Sequence, residues 1–276
     1  EVELQSFLNE MPYQYRKYTE GYKGSGAFYF TAKINGSVLN DKIPTVIIDF
    51  GIENGKLASK EKDISFENMS FKGKFTNGNN CSLSSSELSI SDFSAKLKSG
   101  TLKGEFNLKN LLHPEVSLIV DMSMELKEIQ EFIMPDTINS MSGLMNMKMS
   151  FNSKISTSGK FNPQDFINSK TSGTLKLKNA KVIFKNDIRD YKDINGEFRF
   201  SNNDLIVDKL SWKLQESDFL LRGYFKNLLA YVFLENQQLL VDADLVSNYI
   251  DLAGLLKTQA SSTDTVYNLS FSDNIN

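Results

Sequence analysis

A chain of 276 residues, 40% hydrophobic and 24% charged, has the balance of a folded protein and is long enough to bury a sizeable core. Its 31 Lys and Arg against 34 Asp and Glu leave a formal charge of -3, too even for a surface built to hold a polyanion, which excludes nucleic acid as an expected partner. Cys81 is the single cysteine, so neither an internal disulfide nor a cysteine-based zinc site can form.

The N-terminal "EVELQSFLNE" lacks the basic stretch and apolar core of a signal peptide and reads as a short helix over 4–10. "GAFYFTAKI" alternates with period two, as a strand with one apolar and one polar face does, and puts Phe28, Phe30, Ala32 and Ile34 on one side. "PTVIIDFGI" repeats the pattern with Val46, Ile48, Phe50 and Ile52. Asn54-Gly55, Asn77-Gly78 and Ser99-Gly100 have hairpin chemistry and are expected between strands. Leu102 and Phe106 are the apolar-face residues of "TLKGEFNLK", and "EVSLIVDMSME" supplies Val116, Leu118, Val120, Met122 and Met124 before a short helix at 126–133. His113, the only histidine, stands beside Pro114 in a break and reads as a solvated loop residue without a catalytic partner.

Seven of the nine methionines, Met122, Met124, Met134, Met141, Met145, Met147 and Met149, crowd the middle of the chain. Flexible thioethers suit an irregular core, and equally a surface that adapts to mobile acyl tails. Phe151 extends the Met145, Met147 and Met149 row; Leu175 and Leu177 follow on the next strand. Asp187, Asp190 and Asp193 recur every third residue, without the Gly and Glu of a calcium loop, and read as a charged turn. Trp212 is a core or rim residue; Phe219, Leu221 and Phe225 share a face with Gly223. The longest apolar run, Leu228 to Leu234, is seven residues, where a membrane-spanning helix needs about 18. Asp242 and Asp244 read as surface carboxylates opposite a buried Val241, Ala243 and Leu245, ahead of a short helix at 248–257. No catalytic residue, metal ligand set or cofactor is expected.

The chain repeats itself. Leu88, Ser94, Lys96, Leu97, Lys109, Asn110, Leu111 and Leu112 match Leu205, Ser211, Lys213, Leu214, Lys226, Asn227, Leu228 and Leu229 at an offset of 117. "FENMSFKGKFTN" matches "YKDINGEFRFSN" at an offset of 125, the difference being the loop "GNNCSLSSS". "LQSFLNEMP" near the start resembles "EIQEFIMP" at 128–135, and "VYNLSFSDN" at 266–274 resembles "LMNMKMSFN" at 144–152, so the chain is expected to be a slice of something longer. The expected organisation is the end of a preceding repeat over 1–12, one repeat over 13–135, a second over 136–257, and the start of a third over 258–276. With five or six strands per unit, the fold expected is mainly β: a long, antiparallel, strongly curved sheet, a repeating β-groove of two full repeats with short helices closing each.

Proline before an extended strand (Pro44, Pro114), the "G-x-F-x-L/K-N" seam and a closing "hydrophobic strand, D-L, short helix" element resemble the AsmA and TamB group of bacterial envelope proteins. That resemblance implies a groove in the periplasm of a Gram-negative bacterium, anchored to the inner membrane by an N-terminal helix absent from this sequence. It would carry phospholipid or another acyl-chain lipid toward the outer membrane, with outer-membrane proteins among its partners and no catalytic residues. The lining residues expected on this reading are Phe28, Phe30, Val46, Ile48, Phe50, Leu102, Phe106, Val116, Leu118, Val120 and Met122 in the first unit. In the second they are Met145, Met147, Met149, Leu175, Leu177, Phe219, Leu221 and Phe225. The competing expectations are a non-enzymatic envelope scaffold or adhesin-like repeat with a sealed core, and a closed shuttle for single lipids.

Overall fold

The computed structural model describes residues 2–10, 19–37, 43–59, 64–133, 138–155 and 163–256. Among the described residues thirteen strands form one antiparallel sheet in which every strand pairs with its sequence neighbours, in the order β1 to β13. The first seven are β1 (Val2–Glu3), β2 (Tyr22–Asn35), β3 (Thr45–Ser59), β4 (Ser65–Thr76), β5 (Glu87–Lys96), β6 (Thr101–Lys109) and β7 (Glu115–Glu125). The rest are β8 (Ile138–Lys154), β9 (Lys170–Phe184), β10 (Tyr191–Ser201), β11 (Asp204–Leu214), β12 (Ser217–Lys226) and β13 (Leu240–Val246). The sheet is long, curved and not closed into a barrel. At about 4.8 Å between strands, its span is on the order of 55 to 60 Å.

Among the described residues five short helices accompany the strands: α1 (Leu4–Asn9), α2 (Leu126–Ile133), α3 (Pro163–Ile167), α4 (Leu228–Phe233) and α5 (Leu252–Leu255). None of the helices among the described residues is long and apolar enough to cross a membrane. α1, α2 and α5 each follow a strand, β1, β7 and β13, at the same edge of the sheet, so a strand-then-helix element returns every six strands.

The β-bulges repeat as well. β2 shifts register between Ser25 and Ala27, and β8 between Ser142 and Leu144, 117 residues later. The shift of β3 between Ile52 and Gly55 recurs on β9 between Leu177 and Ala180, and that of β4 between Phe66 and Met69 on β10 between Tyr191 and Ile194, both 125 residues later. β5 shifts between Ile90 and Phe93, β11 between Val207 and Leu210. Most of these bulges hold a residue in the left-handed region: Gly26 and Gly143, Asn54 and Asn179, Asn68 and Asp193, and Asp92. The freed amide of Asn54 donates to Ser70 Oγ at 3.0 Å, and that of Asn179 to Asn195 Oδ1 at 3.0 Å, the same bond one repeat apart. A bulge bends its strand and sharpens the local twist, so a bulge on each of four neighbouring strands makes a bend line across the sheet.

This corrects one expectation. Asn54-Gly55 is not a hairpin turn but the bulge inside β3, because a bulge and a tight turn both require a residue at positive φ, which Asn supplies at 52°. Gly55 meets Gly26 there, where a Cβ on Gly26 would lie 2.7 Å from the Gly55 Cα. Asn77-Gly78 and Ser99-Gly100 do lie between strands. β13 brings a second correction: all seven of its residues are exposed, Val241 at 55% and Leu245 at 56%, since among the described residues it has a neighbour on one side only. The expected helix at 248–257 is confined to Leu252–Leu255 among the described residues, and α3 and α4 had no counterpart in the sequence reading. The unit boundaries at 12/13, 135/136 and 257/258, Met134 and the segment 266–274 lie outside the described residues.

Candidate functional site

Residues paired across an antiparallel sheet share a face, so the register lists what each face holds. One row reads Phe28, Ile52, Phe71 on β2 to β4, and continues through Phe93, Gly104, Val120 and Met149. It goes on to Gly173, Phe200, Leu205, Phe225 and Val241 on β13. Its neighbour holds Leu102, Met122, Met147, Leu175, Phe198 and Val207. All nineteen expected lining residues fall on this one face: Phe30 opposite Phe50, Val46 and Ile48 on β3, Phe106 opposite Leu118, and Leu108 opposite Val116. Met124 pairs with Met145, Met145 with Leu177, and Leu210 with Leu221; Trp212 stacks on Phe219 with ring centroids 5.2 Å apart.

The opposite face is polar and laced with cross-strand ion pairs such as Lys72 with Asp92, Lys148 with Asp121 and Arg199 with Asp208. Such exposed pairs contribute little to stability, but they fix which side faces water. Asp242 and Asp244 lie on this face, opposite Tyr224 and Arg222. The Asp187 to Asp193 cluster is a turn. Hydrogen bonds from the Arg189 guanidinium hold the Asp187 carboxyl down at about 2, helped by the Arg189 amide and the Tyr191 hydroxyl. Asp218 is lowered mainly by the Asn248 side-chain amide, with help from the Tyr249 N–H, and so ties the chain after β13 back to β12.

How the apolar face is covered decides what it can do. Of the nineteen residues, Phe28, Met122 and Met145 are buried, Phe30 is 57% exposed, and the other fifteen are half-buried even at the centre of the sheet. Packing a second sheet on this face would bury them. Each buried cluster instead gathers residues of adjacent strands with a helix or two at the edge. Leu118, Val120 and Met149, in mid-sheet, keep part of their surface open.

At its start the face is roofed by α1. Leu4, Phe7 and Leu8 repeat at helical spacing and point down at β2, where Phe7 stacks on Phe28 at 4.1 Å. Gly24 makes room: a Cβ there would lie 2.7 Å from the Leu4 side chain, and its amide donates to Gln5 Oε1 at 2.8 Å. From Phe28 a file of rings crosses the sheet through Phe50 and Phe71 to Phe93, each step 6.2 to 6.4 Å. Gly73 holds the file open, because a Cβ there would lie 2.3 Å from the Phe50 ring. Between α1 and β2 to β4 lies a cavity of about 560 Å³ whose twelve lining residues are all apolar. Phe71, Phe75, Leu57 and Met69 belong to it and were not among the expected lining residues. The bulge at Asn54 throws Leu57 out of phase with Ile52 and that at Asn68 parts Met69 from Phe66, whereas Phe71 and Phe75 alternate with Lys72 and Lys74 and were legible.

Toward β8 the same face changes character. α2 lies over a cluster of Met122, Met124, Leu126 and Met145, with Ile129, Met141 and Met147 packed against it. Glu128 of α2 is buried there, and its Oε1 has no hydrogen-bond partner among the described residues. At the opposite edge α3 and α4 close the face through Phe166, Leu229 and Ala230 on Phe151. Asn203 holds α4, its Oδ1 accepting from the Ala230 amide at 3.1 Å.

Compared with known proteins, the chain stands by itself: no family model, no curated protein and no solved structure matches it.

Proposed function

We propose that this chain is a stretch of a lipid conduit, similar in design to the AsmA and TamB group, in which the apolar face of the sheet carries the acyl tails of phospholipid between inner and outer membrane while the headgroups stay in water. The observation that carries this reading is the half-burial of fifteen of nineteen apolar-face residues across thirteen strands. Two phospholipid tails drawn into water cost roughly 25 kcal/mol at about 0.8 kcal/mol per methylene, and a continuous apolar trough removes most of that barrier. The headgroups need only an open side. A periplasmic location, an inner-membrane anchor outside this sequence and outer-membrane partners follow from the same likeness.

The test is direct. The purified chain is extracted and its lipid identified by mass spectrometry, then assayed for transfer of fluorescent phospholipid between vesicles. Bound phospholipid is expected, and Val120→Asp or Leu118→Arg should leave the circular dichroism unchanged while abolishing transfer. A chain that carries no lipid, and that either substitution unfolds, is a sealed scaffold instead.

A further inference from the structure

We infer that lipid is not held evenly along the face, and that the cavity beneath α1 is a station for one tail of a zwitterionic diacyl phospholipid, with its methyl end under the helix. This rests on the conduit reading and adds a place, a polarity and a stoichiometry to it.

Volume gives the stoichiometry. A methylene takes about the room of a water molecule, roughly 30 Å³, so a cavity of about 560 Å³ has room for one long tail of roughly nineteen carbons. Shape gives the alignment. On β3 the lining runs from Leu57 to Ile48, roughly 25 to 30 Å of strand at about 3.3 Å per residue, so the space is long and narrow, parallel to the strands.

Closure gives the polarity. At the Leu57 end Leu4, Phe7 and Leu8 roof the cavity, whereas at the other end Phe30 is 57% exposed and the lining stops at Ile48 and Phe75. Beyond that mouth the chain runs into the Ser- and Asn-rich loop between β4 and β5, present in the first copy and missing from the second. Residues 75–86 carry no charge, so nothing on this loop answers a free carboxylate, and a headgroup of zero net charge suits it. The second tail has the half-buried Leu88, Ile90 and Phe106 of β5 and β6 beside the cavity to lie on.

The second copy cannot repeat the station. In register, Phe28 and Phe30 are replaced by Met145 and Met147, and Phe71 by Gly196.

The experiment uses two phosphatidylcholines presented to the 276-residue chain in liposomes, one with a diazirine near the methyl end of a tail and one with it near the carboxyl end. After irradiation, adducts are mapped by peptide mass spectrometry. The methyl-end probe should label 4–9 and Leu57, and the carboxyl-end probe Ile48 and Phe75, at least tenfold above β8 to β11 and saturating at one tail per chain. Leu57→Trp, which fills the closed end, should cut labelling of α1 at least tenfold with circular dichroism and Met147 labelling unchanged. Phe75→Trp, at the mouth, is the second variant should the first misfold. Even labelling of both copies, reversed polarity, or saturation by free palmitate but not by phosphatidylcholine overturns the station and leaves the conduit standing. No labelling anywhere overturns both.

Discussion

The two copies share their backbone plan and differ in what fills it. Bulges fall at matched positions on β2 to β5 and β8 to β11, and the Asn54 amide finds Ser70 as the Asn179 amide finds Asn195. Yet on β2 to β4 the first copy sets Phe28, Phe50 and Phe71 in ring contact, where β8 to β10 of the second carry Met145, Leu175 and Gly196. Rings are rigid and leave a defined void between them, whereas thioethers fold into whatever gap they meet. The bend of the sheet is therefore set by bulges, and its depth by side chains.

The comparison breaks hardest at its best-buried points. Phe28→Ala removes the ring under Phe7 and should cost about 3 to 4 kcal/mol, whereas Met147→Ala, on a half-open surface, should cost about 1 kcal/mol. Urea unfolding of the two variants measures both, and equal costs would mean that the second copy is as closed as the first. Next come the bulges: Asn54→Val and Asn179→Val should each lose about 1 to 2 kcal/mol, with Gly at either site close to neutral. A cost at one site alone would break the equivalence of the copies.

Glu128 separates the helices, since α1 has Ser6 at the matching position. Glu128→Met should gain about 1 kcal/mol, the relief of a buried unpartnered oxygen less the loss of a favourable charge in the first helical turn. A loss of stability in the same unfolding measurement would mean that the carboxylate has a partner in solution. The smallest effect is at Asp187, 18% exposed, whose folded pKa lies below its unfolded value. Its stabilising effect is present above the ordinary carboxylate pKa and is lost as pH falls through about 2. Asp187→Asn should therefore cost about 1 kcal/mol at pH 7, the figure discounted for solvent screening, and progressively less in acid, as thermal unfolding against pH would show.

Much of this was legible in the chain itself, because a period of two survives wherever a strand has one wet face. Phe28 with Phe30, Val116 to Met122 and Met145 to Met149 announced their face without help. Legibility failed where a bulge inserted one residue. Asn54 throws Leu57 out of phase with Ile52, and Asn68 throws Met69 out of phase with Phe66. Helix docking was equally hidden: the spacing of Leu4, Phe7 and Leu8 marks a sticky side, but only Gly24 and the Phe28 ring say where it lands. β13 erred the other way, its alternation being that of a half-buried strand although among the described residues it has a neighbour on one side only.

Pairing each strand only with its neighbours in the chain has a consequence for how the molecule is made and unmade. No strand pairing waits for a distant segment, so contact order is low for an all-β protein of this length, and hairpins can add one after another as the chain emerges. Unfolding should likewise be piecemeal, as in repeat arrays whose stability is a sum of local terms. Amide hydrogen exchange would then open β8 to β10 at lower free energy than β2 to β4, in one and the same molecule.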